Sequence, residues 1–140
     1  MIDFDTLPNA KDPKALIESI DHVRRQHDST YLLDLMKKIT GKEAVVWGDE
    51  AIGFGRYQYV YKTGRTGKWP IISFTPSLQN ITIHVMPGIE VYLPLIEKIG
   101  NVKHTPNALI LHKFSDLNRP ALERFVQRVI LDIEKKYDCA

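Results

Sequence analysis

Apolar and polar positions alternate in three distinct ways along the chain. Tyr31, Leu32, Leu35, Met36 and Ile39 recur at the spacing of one helical face and Gly41 follows as a C-cap, which predicts a helix over residues 28–40. Upstream, Asp12 and Pro13 form an N-cap and first-turn pair for a shorter helix bearing Ala15, Leu16 and Ile20. The pattern leaves open whether these two helices are continuous. From Ala51 the period changes. Residues 51–62 are rich in glycine and aromatics, residues 69–75 are apolar, and residues 80–86 alternate Ile81 and Ile83 with Thr82 and His84, so three consecutive strands are expected. Residues 63–68, with Gly64 and Gly67, suit a hairpin loop, and residues 75–79, with Pro76, suit the next turn. Connections this short favour antiparallel neighbours.

A helical period returns after Met86-Pro87-Gly88 in Tyr92, Leu95, Ile96 and Ile99, closed by Gly100, and an apolar strand follows over residues 108–114. Asn118 then caps a final helix whose apolar face is the clearest in the chain: Leu122, Phe125, Val126, Val129, Ile130, Ile133 and Tyr137. That face requires a sheet to cover. The expected fold class is α+β, a two-layer sandwich with an antiparallel sheet of about four to six strands covered by N- and C-terminal helices. No alternating βαβ units and no G-x-G-x-x-G turn are present, which argues against a nucleotide-binding parallel sheet.

Composition changes this picture little. A chain of 140 residues, 44% hydrophobic and 26% charged, is expected to form one domain over 1–140. Nineteen basic residues against seventeen acidic ones, spread along the chain, give +2 and no field that points to nucleic acid or an anionic membrane. Cys139 is the only cysteine, so neither an intramolecular disulfide nor a multi-cysteine metal site is expected, and a reducing compartment fits. Residues 1–10 lack the basic and apolar regions of a secretory signal, and no apolar run nears the roughly 18 residues of a membrane span. A cytoplasmic location is the resulting expectation.

The segment that demands a chemical reading runs from Trp47 to Trp69. Tyr57, Tyr59 and Tyr61 share one strand face by the two-residue period, forming a row able to grip a planar or apolar ligand. The same row suits plain cross-strand packing, the commoner use of aromatics in sheets. Gly48, Gly53 and Gly55 suit either close approach of a ligand to the backbone or bulges and tight strand starts. Arg65 and Lys68, beside Gly64 and Gly67, could make an anion site, although the stretch lacks phosphate-loop spacing and a solvated tip is commoner. The candidate ligand-binding residues are Trp47, Gly55, Tyr57, Tyr59, Arg65, Trp69 and His84. No metal-ligand or cofactor motif stands out among the five histidines, and Asp49 and Glu50, being adjacent, would point apart in a strand. No nucleophile–base constellation rises above chance, so no catalytic residue is assigned. His84 and His112 would meet only if their strands were neighbours.

Trp47-Gly48, Gly53-Phe54-Gly55, Tyr57-x-Tyr59, Gly64-Arg65-x-Gly67-x-Trp69 and Phe74-x-Pro76 together resemble the YdhG-like family of bacterial proteins, a domain of unknown function. The likeness continues through Ile81-Thr82-Ile83, the helix ending Ile99-Gly100, and residues 111–117, covering most of the chain from Asp28 onward. It implies an α+β sandwich and no reaction. One branch of the wider family resembles a frataxin-like intracellular iron chaperone, which makes iron binding the alternative to a small-ligand or accessory role, with an enzyme of unknown reaction third. Iron would need clustered carboxylates, yet Glu18, Asp21, Glu123, Asp132 and Glu134 are interleaved with Arg24, Arg25, Arg124, Arg128 and Lys135. Where relatives usually carry Gly-Lys and a cysteine, this chain has Thr105-Pro106 and Ala108, so roles attached to those positions do not transfer. The partners expected are an unidentified small molecule, no nucleic acid and no membrane, with a homodimer through a sheet edge as a further arrangement.

Overall fold

Asp12 accepts the amide of Lys14 at 3.0 Å and Pro13 takes the first helical position, which starts α1 (Pro13–Glu18) where the sequence places it. The computed structural model describes residues 8–9, 11–48, 50–60 and 62–140. Asp49, Tyr61 and the side chains of residues 1–10, on which some of the readings above fall, lie outside the described residues. A separate helix, α2 (Val23–Thr40), begins five residues before the expected start because His22 acts as its N-cap: Nδ1 accepts the Arg25 amide at 3.0 Å. Gly41, at φ +69°, ends it in the left-handed conformation that glycine adopts without a Cβ penalty.

The main sheet is antiparallel throughout. Its strands are β2 (Ala44–Trp47), β3 (Ala51–Phe54), β6 (Ile72–Pro76), β7 (Ile81–His84), β9 (Ala108–Leu111) and β8 (Lys103–Thr105), in the order β2-β3-β6-β7-β9-β8, with the two-residue β1 (Pro8–Asn9) extending it beside β2. β2 and β8 have no counterpart among the expected strands. The expected strand over 51–62 is broken at Gly55 (φ +63°), after which β4 (Tyr57–Val60) pairs with β5 (Thr66–Trp69) as a separate ribbon. Pro70, which has no N–H to give a ladder, makes the matching break between β5 and β6. One long hairpin therefore bends at its middle. Its inner half enters the sheet and its outer half projects.

Register fixes what each sheet face carries. Val46, Ile52, Phe74, Ile83 and Leu109 are consecutive partners across five strands, and each is fully buried. Two helices complete this apolar layer: α2, through Leu32 and Met36, and α4 (Arg119–Lys136), capped by Asn118 and buried along Leu122, Phe125, Val126, Val129, Ile130 and Ile133. Fully burying each such side chain is worth about 1.5–3 kcal/mol, so the helices are held by packing more than by propensity. The neighbouring row, Gly53, Ser73, His84 and Ala108, faces the other side and is small or polar. The chain is thus α+β, with helices over one sheet face. A short helix, α3 (Leu93–Ile99), packs against α4 and follows a 3-10 turn over Glu90–Tyr92.

Candidate functional site

The bend in the hairpin decides where the sequence-proposed residues go. In the outer ribbon, Tyr59 and Trp69 stack on each other with centroids 4.1 Å apart and planes 15° from parallel. Tyr57 meets Trp69 edge-on at 6.0 Å and Tyr137, at the end of α4, at 4.6 Å. Tyr57 is 2% exposed and Trp69 7%. Tyr57 and Tyr59 are therefore engaged in cross-strand and ribbon-to-helix packing, closed by the C-terminal residues: Arg56 and Ala140 exchange two backbone hydrogen bonds of 3.0 and 2.9 Å. Gly55 sits at the bend, where a Cβ would lie 2.5 Å from Ile71 Cδ1. Arg65 is exposed in the ribbon turn, and Thr66 to Lys68, expected in the loop, belong to β5.

Trp47 and His84 belong to the main sheet, and Trp47 reaches the base of the ribbon, where it lines a cavity of about 290 Å³ with Gly55, Arg56 and Ala140. The Trp47 indole covers Gly53 so closely that a Cβ there would lie 2.7 Å from its Cδ1. His84 Nε2 and Thr75 Oγ1 are hydrogen-bonded at 2.9 Å, and burial lowers the imidazole from its ordinary 6.5 to about 4. His84 is therefore neutral near pH 7. Directly opposite it across β6 and β7 stands Ser73, 1% exposed, whose Oγ has no hydrogen-bond partner among the described residues. His84 pairs with Ala108 at the start of β9, whereas His112 follows the far end of that strand. β7 and β9 are neighbours, but their two histidines are not.

The structure adds a site that the periodic pattern did not single out. Between the segment leading into α3, the β8–β9 turn and the last turns of α4 lies a groove of about 720 Å³. Val85, Ile89, Val91 and Ile133 give it an apolar wall, Glu90, Asp132 and Lys136 bring both signs of charge to its rim, and His104 adds an imidazole. Tyr92 lies in the wall and donates its hydroxyl to Asp132 Oδ2 at 2.8 Å, while Arg128 Nε holds the other carboxylate oxygen at 3.3 Å. Burial first, then the hydrogen bond and charge of Asp132, push the Tyr92 phenol well above its ordinary range. Asn107 Nδ2 donates to the Met86 carbonyl at 2.8 Å, and the Ile89 amide bonds the Pro106 carbonyl at 3.0 Å, tying the β8–β9 turn to the loop before α3. In the sequence Tyr92 reads as one step of a helical face, and nothing local marks Asp132 as its partner forty residues on.

Among the described residues no three His, Cys, Asp or Glu side chains converge in a metal-binding group, and no helix is long and apolar enough to cross a membrane. The Arg128–Asp132 pair shows at one point the interleaving of charges read from the sequence. No protein-family model matches the chain, and neither the curated proteins nor the solved structures contain a match to it.

Proposed function

We propose that this chain is a non-catalytic binding protein that holds a small amphiphilic molecule in the groove beside Tyr92. The observation that carries the reading is the groove itself. An apolar wall with a few convergent polar groups, in a concavity of about 720 Å³, has the composition and size usual for small-molecule sites. The rim carries Glu90 and Asp132 against Lys136, and Arg128 pairs with Asp132, a balance that suits a neutral or zwitterionic head group better than a strongly charged one. The apolar body of the ligand would lie along Val91, Ile89 and Ile133.

The tyrosine row serves this reading as support for the groove: Tyr57 packs on Tyr137, and Tyr137 lines the groove. The YdhG-like resemblance is compatible with such an accessory role and names no ligand. Native mass spectrometry on gently purified protein tests the proposal. A single retained species of a few hundred daltons, lost when Thr105→Trp fills the groove mouth, is the expected result. An identical adduct pattern in both proteins would place any ligand elsewhere.

A further inference from the structure

Among the described residues no helix lies over the second face of the main sheet, yet that face is closed to water. Gly53, Ser73, His84 and Ala108 are consecutive partners on it across β3, β6, β7 and β9. The two-residue period adds Trp47, Ala51 and Thr75 to the same side. An antiparallel sheet with helices on one face ordinarily presents the other to solvent. Here Ala51 and Ser73 are each 1% exposed.

Ser73 makes the point most sharply. Its partners in the row are a glycine, which has no side chain to shield it, and a histidine. Its Oγ is nevertheless shut off from water and has no hydrogen-bond partner among the described residues, so the group that excludes water there is apolar. The lowered His84 imidazole agrees, because burial is its leading cause and a solvated face would not produce it. Trp47 and Pro70 lie against Gly53 at the β2 side of the sheet. The cover over Ser73 and His84 remains to be supplied.

The chain itself offers one within reach. Pro8 and Asn9 pair with Trp47 and Val46 of β2, so residues 1–7 are tethered beside Trp47 at the edge of this face. From β2 to β7 is three strand spacings, about 14 Å, and seven extended residues span up to about 23 Å. Within those seven, Ile2 and Phe4 alternate with Asp3 and Asp5, the pattern of an extended segment with one apolar side.

We propose that residues 1–7 dock across the helix-free sheet face and close it, Ile2 and Phe4 supplying the apolar contact over Ser73 and His84. The tether favours this occupant over a second copy of the chain by raising its local concentration. The docked segment withholds the Ser73, Thr75 and His84 side chains from ligands, and lifting it would open a polar surface. That surface is separate from the groove beside Tyr92, and the inference does not depend on the groove.

The test is NMR on the full chain. Nuclear Overhauser contacts from the Phe4 ring to the Ala51 and Ser73 side chains are expected, and within one molecule when labelled and unlabelled protein are mixed. Ile2→Ser combined with Phe4→Ser, which adds no charge, should raise the His84 midpoint by at least about one unit towards its ordinary value, followed through the ring protons between about pH 8 and pH 4.5. Leu78→Ser, in the exposed turn between β6 and β7, should leave that titration unchanged. Absence of contacts from residues 1–7 to this face, contacts only between different copies, or an unmoved His84 titration in the double variant would overturn the proposal.

Discussion

Replacing Tyr92 by phenylalanine isolates one hydrogen bond in the groove wall and makes its pH dependence calculable. The phenol is 7% exposed and donates to a carboxylate at 2.8 Å, and bonds to charged groups contribute about 1.5–3 kcal/mol each. Asp132 is half-buried and keeps its contact with Arg128 when the phenol is gone. The loss should therefore fall at or below the low end, about 1–1.5 kcal/mol at pH 7, or a melting temperature lower by roughly 3–7 °C. The fold holds this phenol in its neutral form, since its ionisation is shifted upward by burial and by Asp132. Below the ordinary tyrosine value near 10, both folded and unfolded chains keep the proton and the contribution is whole. Above it the unfolded chain ionises first and wild-type stability declines. Urea unfolding of both proteins at pH 7 and at pH 10.5–11 should show the gap between them narrowing at the alkaline end, while the remaining tyrosines cancel in the difference. A gap that is absent at pH 7, or that stays constant to pH 11, would refute the reasoning.

His84 supplies the acid counterpart. Because burial lowers it to about 4, wild-type stability should fall as pH drops from 6.5, where the unfolded histidine begins to protonate, towards 4; His84→Gln should flatten that slope, and an unchanged slope in urea midpoints would contradict the assignment. Gly53→Ala should destabilise by about 1–3 kcal/mol through overpacking against Trp47, although its backbone is not in the left-handed region. Stability equal to wild type would mean that the indole does not cover Gly53. Burial, then the nearby Glu134 and Asp138, raise the Cys139 thiol, so iodoacetamide should alkylate it more slowly than free cysteine near pH 8; an equal rate would count against that environment.

The helices were legible because their signals are local. Asp12 with Pro13, Gly41, Gly100 and Asn118 mark caps by chemistry that acts within a few residues, and the apolar face of α4 follows from period alone. The earlier start of α2 was not, since a histidine cap leaves no strong sequence mark. Strand boundaries were harder. Residues 51–62 read as one strand because aromatic composition continues across Gly55, and only the pairing of β3 with β6 and β4 with β5 reveals the bend. β8 escaped notice because its three residues are all exposed and carry no apolar alternation. For the site, the sequence brought Tyr57, Tyr59 and Trp69 together correctly but could not say that their rings would pack on one another. The groove depends on contacts such as Tyr92 with Asp132 and Asn107 with Met86, which join distant parts of the chain and leave no periodic trace.

A fragment screen by two-dimensional NMR tests the central claim most directly. Small amphiphilic fragments should shift the amides of Val91, His104, Thr105, Asn107 and Lys136 together, and Thr105→Trp should abolish the response. Fragments that gathered instead on the Tyr59–Trp69 ribbon or on the Ser73–His84 face, or that bound nowhere, would contradict the claim that the groove is the ligand site.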